Sequence, residues 1–529
     1  MLRRPATTCG RVAWSPVGAP SPSRSCSSRR RRPRSVWGKA KEALWALRLE
    51  RALSKDAILE QYINRAPFGH GTVGLEAAAR LYLGRPARCL TLAQTALLVG
   101  IPRAPSRNNP FTDLPRARTR QREVLTQLHE TGVIDAATLA EALAEPIQIQ
   151  RREVVFAAPH FTAWALARDP APGDVQTTLD LDLQHAVEDA IASTLPALRD
   201  RAVQHAAVVV LDNPTGDILA WAGSPDFFAA DEGQVDMVVG LRQPGSTLKP
   251  FVYGLGLEAG FNAASHLPDL PLYFPTGLGD YRPRNYDRTF HGWVRLREAL
   301  ANSYNVPAVW MAHQLGPAVV LDRLRAVGFE SLDRSATYYG LGLALGNGEV
   351  RLLELASAYR ALANGGLASP PRWQPGAPAG EPVRVMPAGV AHLLADILAD
   401  PVARAPAFGR HSPLELPFPA AAKTGTSTDF TDNWTVGFTT AVTVAVWVGN
   451  FDGRPMEGVS GITGAGRLWN RVMRAASRRR PAGELSHQGL RRATLCLDDV
   501  PAEACARPFE EWFRPPPPRW RCPRRRACG

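Results

Sequence analysis

Apolar and polar positions along this chain follow two rhythms, and the change from one to the other divides it. From Trp37 to about Pro146 the spacing is helical. KEALWALRLERALSKDAILEQYI places apolar residues at i, i+3 and i+4, Ser54 is placed to cap a second helix, and LTLAQTALLVG reads as a further one. Residues 37–146 are therefore expected to form an all-α unit. A connector at 147–204 contains TTLDLDLQHAVEDAI, which reads as a strand turning into a helix. Beyond it AAVVVLDNPTGDILAWAGS predicts a hairpin, an apolar strand and a second strand joined by Asn213, Pro214, Thr215, Gly216 and Asp217. Helical stretches follow (VRLREALANSYNVPAVWMAHQL, GEVRLLELASAYRALANGG), and then Gly- and Thr-rich strands, KTGTSTDFTDNWTVGFT and AVTVAVWVGNF. Strands at both ends with helices between predict an α+β domain over 205–478, its terminal strands sharing one antiparallel sheet. Residues 1–36 hold too few large apolar side chains to build a core and are expected to be a disordered Arg-rich segment, while 485–529 form a short C-terminal piece. No repeat of fixed period is present.

Composition fits this division: 529 residues with 45% hydrophobic and 21% charged are too many for one ordinary domain and too apolar for disorder. A net charge of +13 and a pI near 9.8 point at first to nucleic acid or an anionic membrane. The placement of the charge weakens the nucleic-acid reading. Nine Arg and no acid lie in residues 1–36, six Arg and no acid in 513–529, and the +13 less these leaves the body of the chain near neutral, at −2. Of 62 basic residues only five are Lys: Lys39, Lys41, Lys55, Lys249 and Lys423. Arg serves wherever a fixed charge suffices, so a retained Lys marks either chance or a need for an ammonium that can lose its proton. Seven Cys form no CxxC pair, and no HExxH or Cys/His cluster points to a metal. Cys496, Cys505 and Cys522 lie close together, either as a disulfide-stapled module or as unpaired thiols. No apolar run is long enough to cross a membrane, and the first 36 residues lack the apolar segment of a signal peptide.

The chemistry is carried by three short motifs. RQPGSTLKPFVYG places Ser246 and Lys249 in an SxxK arrangement opening a helix, so that both side chains share one face and the ammonium can sit beside the hydroxyl. Pro250 fits a helix beginning at about Ser246, since the first backbone N–H groups need no intrahelical acceptor. Downstream come Ser303-Tyr304-Asn305 and then Lys423-Thr424-Gly425-Thr426. SxxK, SxN and KTG in this order form the set used by serine acyl-transferases that react with penicillin, and two of the five Lys fall within it.

On these motifs and on LERALSKDAILEQYINRAPFGHGTVGLEAAARLYLG, TTLDLDLQ, LALGNGEVRLLELASAY, KTGTSTDFTDNW and VAVWVGNFDG, the chain resembles the class A penicillin-binding proteins, and its C-terminal piece resembles the 1C type. The resemblance implies a penicillin-binding/β-lactamase-like transpeptidase domain, an antiparallel sheet with helices, preceded by a partial all-α lysozyme-like glycosyltransferase domain. It implies Ser246 as acylating nucleophile, Lys249 as its proton acceptor, and Lys423 as a second cation favouring a neutral Lys249. Ser303 would relay a proton to the leaving D-Ala nitrogen, and Asn305 would bind the donor peptide amide. Lys423-Thr424-Gly425-Thr426 would be an edge strand to which the stem peptide adds, with Thr424 and Thr426 near its carboxylate and Gly425 leaving room for its backbone. The backbone N–H groups of Ser246 and Thr426 would form the oxyanion hole. The implied partners are stem peptides, lipid II, a membrane surface and β-lactams as inhibitors, with no cofactor for the transpeptidase and no nucleic acid. The implied place is the periplasmic face of the bacterial inner membrane.

In the N-terminal unit Lys39 and Glu42 match a glycosyltransferase motif of the RKxxE type, with Gly38 where Arg is usual. Ile58, Leu59, Glu60, Tyr62 and Asn64 match a later ILExYLN-type motif, where helix packing with a surface Glu is the expected role. Segments of the EDxxFxxHxG and GGSTITQQ types, which supply the general-base Glu, do not precede Trp37, so the expectation is an incomplete unit without glycosyl-transfer turnover. The tail likewise resembles only the opening of the 1C-type C-terminal module. Two other readings share the motifs: a D-Ala-D-Ala carboxypeptidase or β-lactamase, although no ExxLN segment supplies a deacylating Glu, and a non-catalytic β-lactam-binding scaffold or sensor.

Overall fold

The computed structural model describes residues 48, 50–69, 72–105, 107–149, 157–169, 173–229, 232–276, 279–376, 380–496 and 508–515. The chain separates into two compact units, Met1–Phe156 and Ala157–Gly529.

Among the described residues the first unit contains helices α1 (Lys55–Ile63), α2 (Leu75–Leu83), α3 (Leu92–Gly100), α4 (Leu114–Glu130) and α5 (Ala136–Ala144). Ser54 caps α1 by accepting from Ala57 N at 3.2 Å, and Thr91 and Gln94 form a capping box on α3. Tyr82, Leu97, Leu98 and Leu125 centre the core. A two-stranded ribbon, Pro67–Gly69 with Thr72–Val73, adds a small β element to the expected all-α unit. In α1 Glu60 and Leu59 are exposed while Tyr62 packs against the core, a packing role for that motif.

The second unit centres on a five-stranded antiparallel sheet. Its strands are β1 (His205–Asp212), β2 (Ile218–Ala222), β5 (Ala421–Thr426), β6 (Asp432–Phe438) and β7 (Val442–Gly449), in the order β5-β6-β7-β1-β2. A smaller antiparallel pair, β3 (His266–Asp269) with β4 (Gly292–Arg295), lies between them in sequence. Strands from the two ends of the domain do share one sheet. Both faces are covered. Val208, Val210, Val444 and Val446 meet Val187, Leu468 and Trp469 of helices α7 (Leu181–Thr194) and α14 (Ala465–Arg479). Val209, Ala445 and Trp447 meet Phe251, Leu355 and Leu394 of α8 (Lys249–Glu258), α11 (Leu352–Ala363) and α12 (Ala388–Ala399). Two-sided burial is why β1 and β7 read as continuous apolar runs without alternation.

The stretch 147–204, expected to be a connector, is in large part structure of this unit. Helix α6 (Pro159–Arg168) precedes α7, whose cap Asp180 accepts from Leu183 N at 3.1 Å, and Gln184 Oε1 accepts from Trp221 N at 2.7 Å. The strand expected at TTLDLD does not form, because its backbone docks singly: Thr178 N donates to Trp373 O and Asp180 N to Leu219 O, each at 2.9 Å. Two short helices, α9 (Leu296–Ala301) and α13 (Pro401–Phe408), pack against each other near the site, and α10 (Asn305–Leu315) follows α9. At the C-terminus β8 (Arg491–Leu495) and β9 (Phe509–Phe513) form a ribbon. Cys496 is disulfide-bonded, while Cys505, Cys522 and the segment 1–36 lie outside the described residues. Among the described residues no helix is long and apolar enough to cross a membrane.

Candidate active site

Ser246 sits in a 3-10 turn, Gly245–Leu248, and Lys249 opens α8, so the helix starts three residues later than the sequence spacing predicts. A 3-10 turn has three residues per revolution, which stacks positions 246 and 249 on one face. Gly245 has φ +56, and a Cβ there would lie 2.5 Å from Thr426 O, so the turn and β5 touch backbone to backbone. The Ser246 hydroxyl faces a cavity of about 670 Å³ that is also lined by Ser303, Asn305, Thr424 and Thr426, and it has no hydrogen-bond partner among the described residues.

Lys249 is 0% exposed. Its Nζ donates to Ser303 O (2.6 Å), Asn305 Oδ1 (2.6 Å), Tyr304 O (3.1 Å) and Ser303 Oγ (3.4 Å), all in the SxN segment and none on Ser246. Lys423 comes from β5 to the same hydroxyl, its Nζ lying 2.7 Å from Ser303 Oγ and 2.8 Å from Thr424 O. No carboxylate lies within ion-pair distance of either ammonium among the described residues. Burial pushes Lys249 well below the ordinary lysine value, the charge of Lys423 lowers it further, and Asp269 opposes both. Burial alone brings Lys423 down to about 7. Ser303, bridging the two, is held at φ +60, a left-handed conformation that costs a non-Gly residue about 1 kcal/mol or more.

Behind this face lies a polar network the sequence did not reveal. Asn285 Oδ1 accepts from Asn305 N (2.7 Å) and Val306 N (3.3 Å), capping α10. Both of these donors are backbone N–H groups, so the amide oxygen must face them and the Nδ2 must face away. Nδ2 donates to both oxygens of buried Asp269, at 2.7 and 2.8 Å. Asp269 also accepts from His291 N at 2.9 Å, and His291 stacks on Tyr304 at 4.1 Å. Asn305 Nδ2 donates to Arg284 O at 2.8 Å, which leaves its Oδ1 for Lys249. In sequence RPRNYDRTFHG carries no motif that signals this arrangement.

Lys423-Thr424-Gly425-Thr426 lies in β5, an edge strand, as the resemblance implies. Thr424 and Thr426 line the cavity, and Thr426 Oγ1 accepts from Gly461 N at 3.0 Å. Gly425 needs a correction. Its missing Cβ points at Pro244 O (2.3 Å) and Thr247 Cγ2 (2.8 Å), so the glycine makes room for the Ser246 turn, on the side where Lys423 points, and not for a ligand backbone. Lys39 and Glu42 lie outside the described residues.

Comparison with known proteins identifies the two parts of the chain: the model of the penicillin binding protein transpeptidase domain matches residues 206–473, half of the chain, and that of the transglycosylase matches 24–129. The chain belongs to the class A penicillin-binding proteins. The transglycosylase match starts upstream of the boundary at residue 37 that apolar patterning gives. Over 442 residues the chain is 36% identical to penicillin-binding protein 1C of Escherichia coli strain K12, covering 83% of this chain and 56% of that protein. It is 30% identical to penicillin-binding protein 1B of Vibrio cholerae, covering 83% of this chain and 60% of that one. The chain thus spans little more than half of these relatives. The crystal structure of penicillin-binding protein 1A from Haemophilus influenzae shares the fold, with a TM-score of 0.67 at 21% identity over 88% of this chain and 92% of that one. So does PonA1 of Mycobacterium tuberculosis in complex with penicillin V, with a TM-score of 0.51 at 24% identity over 69% of this chain and 94% of that one.

Proposed function

We propose that this chain is a serine D,D-transpeptidase of peptidoglycan synthesis that cross-links stem peptides through an acyl-enzyme on Ser246. The observation that carries this reading is Lys249: a lysine with no exposed surface, held by carbonyls with no paired carboxylate, and beside a second buried cation. Such an amine loses its proton easily and can accept one from Ser246. Ser246 Oγ attacks the carbonyl of the penultimate D-Ala while its proton passes to Lys249, and the oxyanion meets the N–H groups of Ser246 and Thr426. Ser303, within reach of both ammonium groups, passes a proton to the leaving D-Ala nitrogen as the C–N bond breaks. The amine of a neighbouring stem peptide then attacks the ester, a new amide forms and Ser246 regains its proton. Thr424 and Thr426 line the groove where the terminal carboxylate would lie, and β5 offers its edge to the peptide.

β-Lactams would acylate the same Ser246. Lipid II is the substrate proposed for the glycosyltransferase-type unit, and the periplasmic face of the inner membrane is the proposed site of action. Incubation with a fluorescent penicillin followed by a denaturing gel tests the reading. A stable adduct that Ser246→Ala loses is expected. Rapid turnover of the penicillin would instead identify a β-lactamase, release of D-Ala without cross-linking a carboxypeptidase, and absence of any label a scaffold.

A further inference from the structure

We propose that Glu511, in the C-terminal ribbon, is a positioning residue for the site: through Arg297 it fixes the loop that presents Ser303. Glu511 is 1% exposed, outside every motif, and on a strand far along the chain from the catalytic segments. Its carboxylate takes Arg297 Nε at 2.8 Å. Nη2 of that guanidinium is shared between Glu511 Oε1 (2.5 Å) and Asp396 Oδ2 (2.6 Å), and Nη1 goes to Asp400 Oδ2 (3.1 Å). One buried cation thus gathers carboxylates from β9, from the end of α12 and from the residue that caps α13. The fork of Arg fixes the direction of each partner as well as its distance.

The consequence runs to Ser303 in two short steps. Asp400 uses its other oxygen to cap α13, accepting from Val402 N and Ala403 N at 2.9 Å each. Helix α13 then clamps Asn302 at both ends of its amide, Asn302 Nδ2 to Ala403 O at 2.8 Å and Ala407 N to Asn302 Oδ1 at 2.9 Å. Asn302 ends α9, the helix that carries Arg297, and immediately precedes Ser303 at φ +60. A strained loop keeps its geometry only while its surroundings impose it, and here α9 and α13 do so, joined by Arg297. A cavity of about 530 Å³ under the ribbon shares Asn302, Tyr304 and Pro406 with the site cavity, so only one layer of side chains separates ribbon from site.

The ribbon stays docked without Glu511. Arg295 lies over Phe509 at 4.5 Å, His487 stacks on Trp512 at 4.4 Å, and Arg514 Nη1 reaches Leu257 O at 3.1 Å. Glu511→Gln therefore removes the charge-assisted fork and leaves the packing. Glu510→Gln is the matched control, because Glu510 is exposed and pairs with Arg492 of the neighbouring ribbon strand, 3.0 Å away, with no bond to Arg297.

The kinetic arm of the test rests on acylation at Ser246, and the second arm does not. With fluorescent penicillin, Glu511→Gln is expected to lower the acylation rate constant about tenfold or more while the preceding binding constant changes less than about twofold. Glu511→Asp, which keeps the charge and shortens its reach, should fall between, and Glu510→Gln should match wild type. In hydrogen exchange followed by mass spectrometry, peptides covering 296–305 and 401–408 should exchange faster in Glu511→Gln with the rest unchanged. Wild-type exchange in those peptides together with a wild-type acylation rate overturns the inference. If the wild-type chain takes no label, the transpeptidase reading fails, and exchange alone decides the role of Glu511.

Discussion

Two lysines without a counter-ion in a buried site are expensive, and that expense is what makes them useful. A charged ammonium removed from water loses several kcal/mol of hydration unless it is paired, so each is driven toward the neutral form. Arg in place of Lys249 would bring a guanidinium that keeps its proton, and Lys249→Arg is expected to abolish penicillin labelling while the chain stays folded by circular dichroism. For wild type, the acid limb of acylation against pH should lie well below the ordinary lysine value, the rate rising as Lys249 gives up its proton. Stability follows the same sign. Below about 7 Lys423 is protonated both folded and unfolded, and the burial cost is complete; between about 7 and 10.5 only the unfolded chain holds the proton, so stability rises with pH. Lys423→Met should therefore melt higher than wild type at pH 6, by on the order of 1–3 kcal/mol, with the gain shrinking toward pH 10 and with labelling lost. A variant that melts lower at pH 6 would show that the hydrogen bonds to Ser303 and Thr424 outweigh the burial cost. The scarcity of Lys in the sequence led to these residues, and the motifs named Ser303 and Asn305. Asn285 and Asp269 were invisible, since an Asn and an Asp sixteen positions apart have no local signature.

At the level of elements, the site depends on how closely β5 and the Ser246 turn approach. Gly425 and Gly245 sit at that contact, each turned toward the backbone of the other segment. Gly425→Ala places a methyl 2.3 Å from Pro244 O, where only backbone displacement relieves it. The expected result is about 1–3 kcal/mol lower stability, read from the denaturant midpoint, and slower acylation, because the strand carrying Lys423 and Thr426 is pushed from Ser246. If both are wild type, the contact is looser than its geometry. Asn285→Ala removes the cap of α10 and should cost about 1 kcal/mol, with loss of acylation as Asn305 turns from Lys249. The family resemblance marked the KTG segment as an edge strand and took Gly425 as room for a ligand's backbone. It misassigned which backbone approaches, since that depends on which face of β5 meets the SxxK turn. The three-residue error at α8 is of the same kind: 3-10 and α turns share the i, i+3 face that SxxK spacing reports.

For the second unit as a whole, the sheet decides what belongs to the domain. Patterning found the terminal strands and their common sheet and bounded the domain at 205–478, close to the 206–473 of the family match, but it did not show that α6 and α7 join the same compact unit, because helical periodicity says nothing of what a helix covers. Arg479 of α14 reaches Asp180 Oδ1 at 3.1 Å, and Arg480 reaches Asp212 Oδ2 at 2.8 Å, so the start and end of the unit are tied across nearly three hundred residues. Chemistry is divided the same way: Ser246 and Lys249 come from one segment, Ser303 and Asn305 from a second, Lys423 from a third. None of the three can be placed without β7, which pairs with β1 on one side and β6 on the other. A site assembled from such distant segments should exist only while the sheet does. In a urea titration, the fraction able to take fluorescent penicillin and the circular dichroism signal of this unit are expected to fall with one midpoint, as a single cooperative unit requires. Labelling that disappears at lower urea, with the sheet signal intact, would mean that the SxN loop and its α13 clamp open on their own, and the site would then be the least stable part of the domain.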